Sequence, residues 1–219
     1  MSISQNLLRI KSSLPEEVTL VAVSKTKPIS DLMEAYEVGQ RIFGENKIQE
    51  MAEKWELMPK DIQWHMIGHV QTNKVKFMAP FVHLIHGVDS LKLLEEINKQ
   101  ALKNNRIIDC LLQIHIAEEE TKFGLDQDEL NVLLASPTFQ KMKNIRVVGL
   151  MGMATFTNVQ NQIKKEFAYL KSIFDDLQPL NIEQCQLSTL SMGMSGDYQL
   201  AIACGSTMVR IGSSIFGGR

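Results

Sequence analysis

The sequence predicts a single (β/α)8 barrel, and three observations predict it. Eight short apolar segments have the length of strands, amphipathic segments of helical spacing lie between them, and 219 residues are close to the minimum for eight such units. The apolar segments are continuous rather than alternating, which is typical of parallel strands covered on both faces. A doubly wound open sheet is the alternative. It usually needs fewer strands, and no G-x-G-x-x-G follows the first apolar segment.

An extra helix is predicted before the barrel, because apolar residues recur near helical spacing from Ile3 to Ile10 and Pro15 ends the pattern. The eight predicted strands then follow as VTLVAVSK, QRIFGE, IQWHMIGH, VHLIHGVD, RIIDCLLQIHI, IRVVGLMGM, QCQLSTLS and TMVRIGSS. The predicted helices between them include SDLMEAYEVG, NKIQEMAEKWELM, SLKLLEEINKQALKNN, DQDELNVLLAS, VQNQIKKEFAYLKSIFDDLQ and YQLAIAC. No segment has the composition of a linker, so we expect one domain over residues 1–219.

Composition excludes several classes of function. The formal net charge is −2 and 22% of the residues are charged, so no basic excess indicates nucleic acid or an anionic membrane as a partner. No apolar segment is long enough to span a bilayer, and the amino terminus lacks the features of a signal peptide. The three cysteines are far apart and odd in number, which favours free thiols. We therefore expect a cytoplasmic protein.

Polar residues follow the predicted strands at the end of the barrel where such folds place their functional groups. Since the carboxyl ends of all eight strands meet there, these side chains are expected to surround one mouth. In chain order they are Lys25 after the first strand, Glu45 and Asn46 after the second, His69 after the third, His115 and Lys122 around the fifth, and Arg210 in the eighth.

Two segments near the carboxyl terminus predict a phosphate site. Glycines let backbone amides approach an anion closely, and hydroxyl groups add further donors. Either segment alone is more often an ordinary turn, but together they lie after strands 7 and 8, the common phosphate position in these barrels. The residues are Ser191, Gly193, Ser195 and Gly196 in LSMGMSGD, and Gly212, Ser213 and Ser214 in RIGSSIFGG.

Lys25 is the candidate reactive residue. A lysine after a strand is most often solvated, but apolar residues precede this one and are expected to draw its stem into the barrel mouth. Desolvation without a carboxylate partner favours the neutral amine, which condenses with aldehydes. A phosphate site across the same mouth indicates a phosphorylated aldehyde, of which pyridoxal 5′-phosphate (PLP) is the commonest. Lys27 precedes Pro28, which favours extended geometry, and we expect it on the rim.

Arg210 lies within an apolar strand, where an unpaired charge would be costly. One interpretation is a structural ion pair. The other is a partner for the pyridine nitrogen of PLP. A guanidinium cannot accept the proton of that nitrogen, so this site would hold the cofactor better than it would activate it for carbanion chemistry.

Several motifs resemble the pyridoxal phosphate homeostasis proteins, whose fold is similar to the amino-terminal barrel of alanine racemase. They are VAVSKTKP, FGENKIQE, WHMIGHVQTNK, TKFGL, GLMGMA and LSMGMSGDYQLAIACGSTMVRIGSSIFGGR. The resemblance extends from about Leu7 to Arg219. It implies that Lys25 carries PLP as a Schiff base and that Arg210 faces the pyridine nitrogen. It also implies a phosphate held by the loop Ser191–Ser195, which includes Met192, and by Gly212 and Ser213, with Asn46 and His69 near the cofactor.

The resemblance implies a PLP-binding protein that takes part in vitamin B6 homeostasis without established catalysis. PLP-dependent apo-enzymes are candidate partners, and a monomer or weak dimer is expected. A PLP-dependent racemase is the alternative function, although Tyr36, Tyr169 and Tyr198 are all predicted in helices and a racemase needs an acid–base group on each face of its substrate. A Schiff-base aldolase that needs no cofactor is a third candidate. No metal site is expected, because His65 and His69 are four apart on a strand.

Overall fold

The computed structural model describes residues 2–119, 123–179 and 182–218, and its centre is a closed barrel of eight parallel strands in sequential order. The predicted fold is therefore confirmed, and each strand lies within its predicted segment. The strands are β1 (Thr19–Val23), β2 (Ile42–Glu45), β3 (Gln63–Met66), β4 (Leu84–Val88), β5 (Ile108–Gln113), β6 (Ile145–Met151), β7 (Cys185–Ser191) and β8 (Met208–Ile211).

Helices follow the strands on the outside of the barrel. The predicted extra helix is present, and a capping box between Ser2 and Gln5 fixes its start. Three helices of four residues each, Val75–Met78, Pro137–Gln140 and Ser213–Phe216, were not predicted, because four residues carry too little periodicity to indicate a helix. The helices are α1 (Ile3–Ser13), α2 (Ile29–Glu37), α3 (Ile48–Leu57), α4 (Val75–Met78), α5 (Leu91–Lys103), α6 (Gln127–Ala135), α7 (Pro137–Gln140), α8 (Gln160–Leu177), α9 (Tyr198–Ala203) and α10 (Ser213–Phe216).

The hydrophobic core has two parts, as the layered architecture requires. The larger part lies between the strands and the surrounding helices, and its largest buried side chains include Trp64, Phe43 and Phe139. The smaller part fills the barrel interior with Val21, Leu84, Leu111, Met151 and Met208. The barrel is therefore a packed core whose functional space lies at its ends.

The sheet is least regular around β7. Val147 of β6 pairs with Cys185, whereas Gly149 pairs with Thr189, so β7 contains two extra residues opposite β6. A Cβ atom on Gly149 would lie 1.8 Å from the carbonyl oxygen of Thr189, and this contact explains why glycine occupies the position. On its other side, the ladder from β7 to β8 has one register pair within the described residues, Ser191 with Met208.

Cys110, Cys185 and Cys204 are free thiols, as their spacing predicts. Burial raises the pKa of the Cys185 thiol to about 11 and raises the pKa of Cys110 further. None of the helices in the described part of the chain combines the length and apolar character needed to cross a membrane.

Candidate functional site

A cavity of about 680 Å³ opens at the carboxyl end of the barrel. Residues that follow β1, β2, β3, β6, β7 and β8 line it, whereas β4 and β5 contribute none of its described lining. Among the described residues, its charged lining consists of three cations, Lys25, Lys27 and Arg210, and one carboxylate, Asp197. The volume suits a small ligand, and the excess of cations favours an anionic one.

Lys25 lies two residues beyond β1 and is half-buried at this cavity. Its amine has no hydrogen bond or ion pair with any other described residue. The next residue, Thr26, has a φ of 63°, a left-handed conformation that non-glycine residues adopt at an energetic cost. Lys27 also borders the cavity, but its amine donates to the carbonyl of Gly218, 3.0 Å away.

Arg210 is buried and reaches the cavity from β8. One terminal nitrogen donates to the carbonyl and the hydroxyl of Ser191, at 2.8 and 2.6 Å, and the other donates to the carbonyl of Gly152 at 3.1 Å. Burial lowers the pKa of the guanidinium to about 10, although the charge of Asp197 opposes this. The side chain is therefore still charged at neutral pH, and it is held by backbone carbonyls and the Ser191 hydroxyl rather than by an ion pair with another described residue.

The two predicted phosphate segments lie side by side at the cavity. The hydroxyl of Ser195 accepts a hydrogen bond from the amide of Gly212 at 3.3 Å, which joins them. A side chain on Gly212 would place Cβ 3.0 Å from the carbonyl oxygen of Val23, whereas the space around Gly196 is open. The amides of Ser195, Gly196, Ser213 and Ser214, which lie in these two segments, have no acceptor within the described part of the chain. They are suitable donors for an anion.

A hydrogen-bonded column runs down the barrel interior from Arg210. The Ser191 hydroxyl is 3.1 Å from Nδ1 of His86, whose Nε2 is 3.0 Å from Nδ1 of His65. Both imidazoles are fully buried. Burial lowers the pKa of His65 to about 3 and lowers the pKa of His86 well below its usual value, so both rings are neutral at physiological pH. The sequence alone gave no indication that His86 links Ser191 to His65.

The structure brings together most of the predicted site residues. Lys25, Asn46, Arg210, Ser195, Gly212 and Ser213 all line the cavity. Ser191 and Met192 do not line it; both are buried, and the Ser191 hydroxyl contacts Arg210 instead. His69 also lies outside the lining, where its ring stacks on Phe123 and its Nδ1 is 3.3 Å from Asp89. His115 contacts the carbonyl of Glu119, and Lys122 lies outside the described residues.

Two supporting groups escaped sequence reasoning. The buried carboxylate of Glu166, on α8, accepts from the amide and hydroxyl of Thr155, both at 2.7 Å, and so fixes a loop that lines the cavity. Behind Lys25, the buried amine of Lys54 contacts the carboxylates of Glu45 and Glu50, both at 2.7 Å. Glu166 and Lys54 lie among the buried residues of α8 and α3, so the overlooked signal is a charged residue at an apolar position of the helical repeat.

A larger cavity, about 880 Å³, lies at the opposite end of the barrel, around the first residues of the strands. His65 and His83 border it, and Arg146 pairs with Asp109 at its rim through two hydrogen bonds of 2.7 and 2.8 Å. Chemistry in these barrels occurs at the carboxyl end, and the amine, guanidinium and free amides are all there. We therefore assign the functional site to the smaller cavity.

The fold and the site define a barrel of the alanine racemase amino-terminal type. The family model described as "Alanine racemase, N-terminal domain" matches residues 1–219. Alanine racemase structures from Bartonella henselae and E. faecalis share the fold, with TM-scores of 0.72 and 0.80 at 17% and 16% identity. The chain covers 60% and 58% of those two chains.

Closer relatives narrow this class. Proteins named "Pyridoxal phosphate homeostasis protein" are 39% identical in Aquifex aeolicus, over 91% of this chain and 86% of that one, and 38% identical in Escherichia coli K12, over 94% and 87%. PipY of Synechococcus elongatus, solved with PLP bound, is 34% identical with a TM-score of 0.90, over 99% of this chain and all of that one. The chain belongs to the family of pyridoxal phosphate homeostasis proteins.

Proposed function

We propose that this chain binds PLP in the cavity at the carboxyl end of the barrel and takes part in PLP homeostasis. The observation that carries the proposal is the convergence of Lys25, Arg210 and four free amides on one cavity of about 680 Å³. The PLP-bound structure of PipY and the names of the curated relatives support it.

The residues present fit each part of PLP. The open amides after β7 and β8, with the Ser195 and Ser213 hydroxyls, suit the phosphate dianion, and no metal is needed to hold it. Arg210 can donate a hydrogen bond to the pyridine nitrogen but cannot accept a proton from that nitrogen. Lys25 supplies the amine for the aldehyde. When bound, PLP supplies an electrophilic aldehyde and an electron-withdrawing ring.

Binding without turnover is the function we favour over racemisation. A racemase places an acid–base group on each face of its substrate. Tyr36, Tyr169 and Tyr198 lie in α2, α8 and α9, as predicted, and none is among the described residues that line the cavity. The likeness to alanine racemases below 20% identity concerns the fold alone.

We extend the proposal to partners and location. PLP-dependent apo-enzymes are the proposed recipients of the cofactor, and the protein is proposed to act as a monomer or weak dimer. The three free thiols support a reducing compartment, and we propose the cytoplasm.

The attachment site is tested with Lys25→Ala and its matched control, Lys27→Ala. We expect the purified protein to acquire a visible absorbance with PLP, and borohydride to fix the cofactor to the peptide that contains Lys25. Lys25→Ala should lose both signals while the amides retain some PLP non-covalently, and Lys27→Ala should keep both. Labelling at Lys27 would refute the assignment, and absence of PLP binding altogether would refute the function.

Turnover is tested separately. With PLP-loaded protein and L- or D-amino acids in deuterated water, we expect no α-proton exchange at enzymatic rates. Exchange at about 1 s⁻¹ or faster, lost in Lys25→Ala, would establish the racemase alternative.

A further inference from the structure

We propose that Lys54, Glu45 and Glu50 form a positioning cluster that fixes the backbone on both sides of Lys25 and so sets how efficiently its amine reacts. The proposal rests on the proposed function, since it concerns the residue assigned to hold PLP. None of the three side chains touches the part of the cavity where PLP would lie, so they act through Lys25.

Lys54 is the centre of the cluster. Its side chain extends from α3 into the space beneath the loop that follows β1 and is nearly fully buried. The three N–H bonds of its ammonium group match three acceptors: the carbonyl of Ser24 at 2.8 Å and one carboxylate oxygen each of Glu45 and Glu50 at 2.7 Å. One amine therefore connects β1, β2 and α3.

The residues on either side of Lys25 are held by this cluster. On the amino-terminal side, the Ser24 hydroxyl donates to Glu45 at 2.6 Å and the Ser24 carbonyl accepts from Lys54. On the carboxyl-terminal side, the Thr26 amide donates to Glu50 at 2.5 Å, in a residue whose φ is 63°. Both peptide groups next to Lys25 are thus fixed, and the strained conformation of Thr26 is stabilised by the carboxylate of Glu50.

The cluster is poorly explained by stability alone. Lys54 and Glu45 are buried whereas the Glu50 side chain is 22% exposed, and burying such a charged pair costs desolvation free energy, so well-packed apolar residues often replace it without loss. Burial raises the pKa of Glu45 against the effect of Lys54, and the second carboxylate oxygen of Glu45 is buried without a partner in the described residues. A group that is costly for folding but lies directly behind the reactive lysine is better explained by positioning.

The chemistry explains why positioning matters. The Lys25 nitrogen attacks the aldehyde carbon, a carbon–nitrogen double bond forms, and the aldehyde oxygen leaves as water, so no other reactant is required. Lysine has four rotatable bonds, and a mobile backbone would add to the freedom lost in the bond-forming geometry. Fixing Ser24 and Thr26 in advance removes the backbone part of this entropy loss. The phosphate amides and Arg210 bind the ring and phosphate of the ligand, and that binding does not depend on how Lys25 is positioned.

Because reaction at Lys25 and non-covalent binding of the ring and phosphate depend on different residues, two ligands can test them separately. PLP carries the aldehyde, whereas 4-deoxypyridoxine 5′-phosphate keeps the ring and phosphate but has no aldehyde to react with Lys25. The variants are Glu50→Ala, which frees the Thr26 amide, Glu50→Gln, which keeps an acceptor there, and Lys54→Met. Lys171→Met is the matched control, because Lys171 pairs with Asp175 on the exposed face of α8.

We expect Glu50→Ala to bind PLP about tenfold or more weakly and to develop the visible absorbance more slowly, as the loss of a charge-assisted hydrogen bond indicates. Its affinity for the deoxy analogue should stay within about twofold of the unmodified protein. Glu50→Gln should recover most of the PLP affinity, and Lys171→Met should match the unmodified protein with both ligands. If Lys54→Met does not fold, the results for Glu50→Ala alone test the positioning role.

The outcomes separate the two claims. Equal PLP affinity and equal rates in Glu50→Ala and the unmodified protein would overturn the positioning role. An equal loss of both ligands would also overturn it, because it would show a general effect on the cavity. If the unmodified protein bound neither ligand, the proposed function itself would fall, and the inference with it.

Discussion

Acidification should destabilise this protein through the histidine column in the barrel interior. His65 is fully buried, with His86 at 3.0 Å and the ring of His83 stacked at a centroid distance of 5.6 Å. Its pKa is lowered to about 3, first by burial and then by the charge of His83. In the unfolded chain the pKa of a histidine is about 6.5. Between these values the unfolded chain binds a proton that the folded protein does not, so stability is present above about pH 6.5 and is lost as the pH falls.

The size of this effect follows from the shift. Each pH unit inside the window is equivalent to about 1.4 kcal/mol, so from pH 7 to pH 5 His65 alone should lower the free energy of unfolding by about 2 kcal/mol. The assay is urea unfolding at both pH values for the unmodified protein, for His65→Asn, and for His69→Asn as the control with an exposed ring. His65→Asn should lose about 2 kcal/mol less on acidification than the other two proteins, whatever its stability at pH 7. Parallel losses in all three would refute the assignment of a neutral, buried His65.

Two further substitutions test the packing that shapes the site. Gly149→Ala should lower the free energy of unfolding by about 3 kcal/mol, because its Cβ would lie 1.8 Å from the Thr189 oxygen. The control is Gly196→Ala, where nothing lies within 4 Å of the added Cβ and the free energy should change by less than about 0.5 kcal/mol. Similar losses for both variants in chemical denaturation would contradict the close approach of β6 and β7. Glu166→Ala should free the Thr155 amide and hydroxyl and so speed hydrogen exchange in residues 152–158. Glu166→Gln, which keeps an acceptor, should have a smaller effect. Unchanged exchange in Glu166→Ala would show that other contacts hold the loop.

The barrel was predictable because its evidence is local and repeated. Most strands have a continuous apolar run, although β7 (CQLSTLS) alternates, most helices of nine or more residues have a clear apolar face, and the eight-fold alternation leaves few alternatives. The capped start of α1 is likewise visible in its first five residues. Helices of four residues, such as α7 and α10, have no such signal and follow from tertiary packing.

The sequence predicts site residues only where they follow or end a strand. Lys25 and Arg210 were marked by the apolar residues around them, and both reach the cavity. Ser191, the last residue of β7, and His69, which follows β3, are also at strand ends, but the sequence does not determine whether their side chains point into the cavity. Lys54 illustrates a further limit. Its helix looks like an ordinary amphipathic helix, and its meaning arises only when Ser24, Glu45 and Glu50 meet it in three dimensions.

The irregular junction between β7 and β8 has a consequence for dynamics. The two strands share one register pair in the described residues, and backbone hydrogen bonds from Thr207 to Leu190, from Met192 to Met208 and from Arg210 to Gly193 continue their contact beyond it. The Arg210 side chain crosses this junction from β8 to Ser191 at the end of β7. A ligand that engages Arg210 should bind the joined strands more tightly than separated ones, which would link occupancy and closure thermodynamically. Ligand binding in the cavity should therefore slow amide hydrogen exchange along β7 and β8 more than elsewhere in the barrel. Release of the ligand should be accompanied by more frequent local opening of this junction.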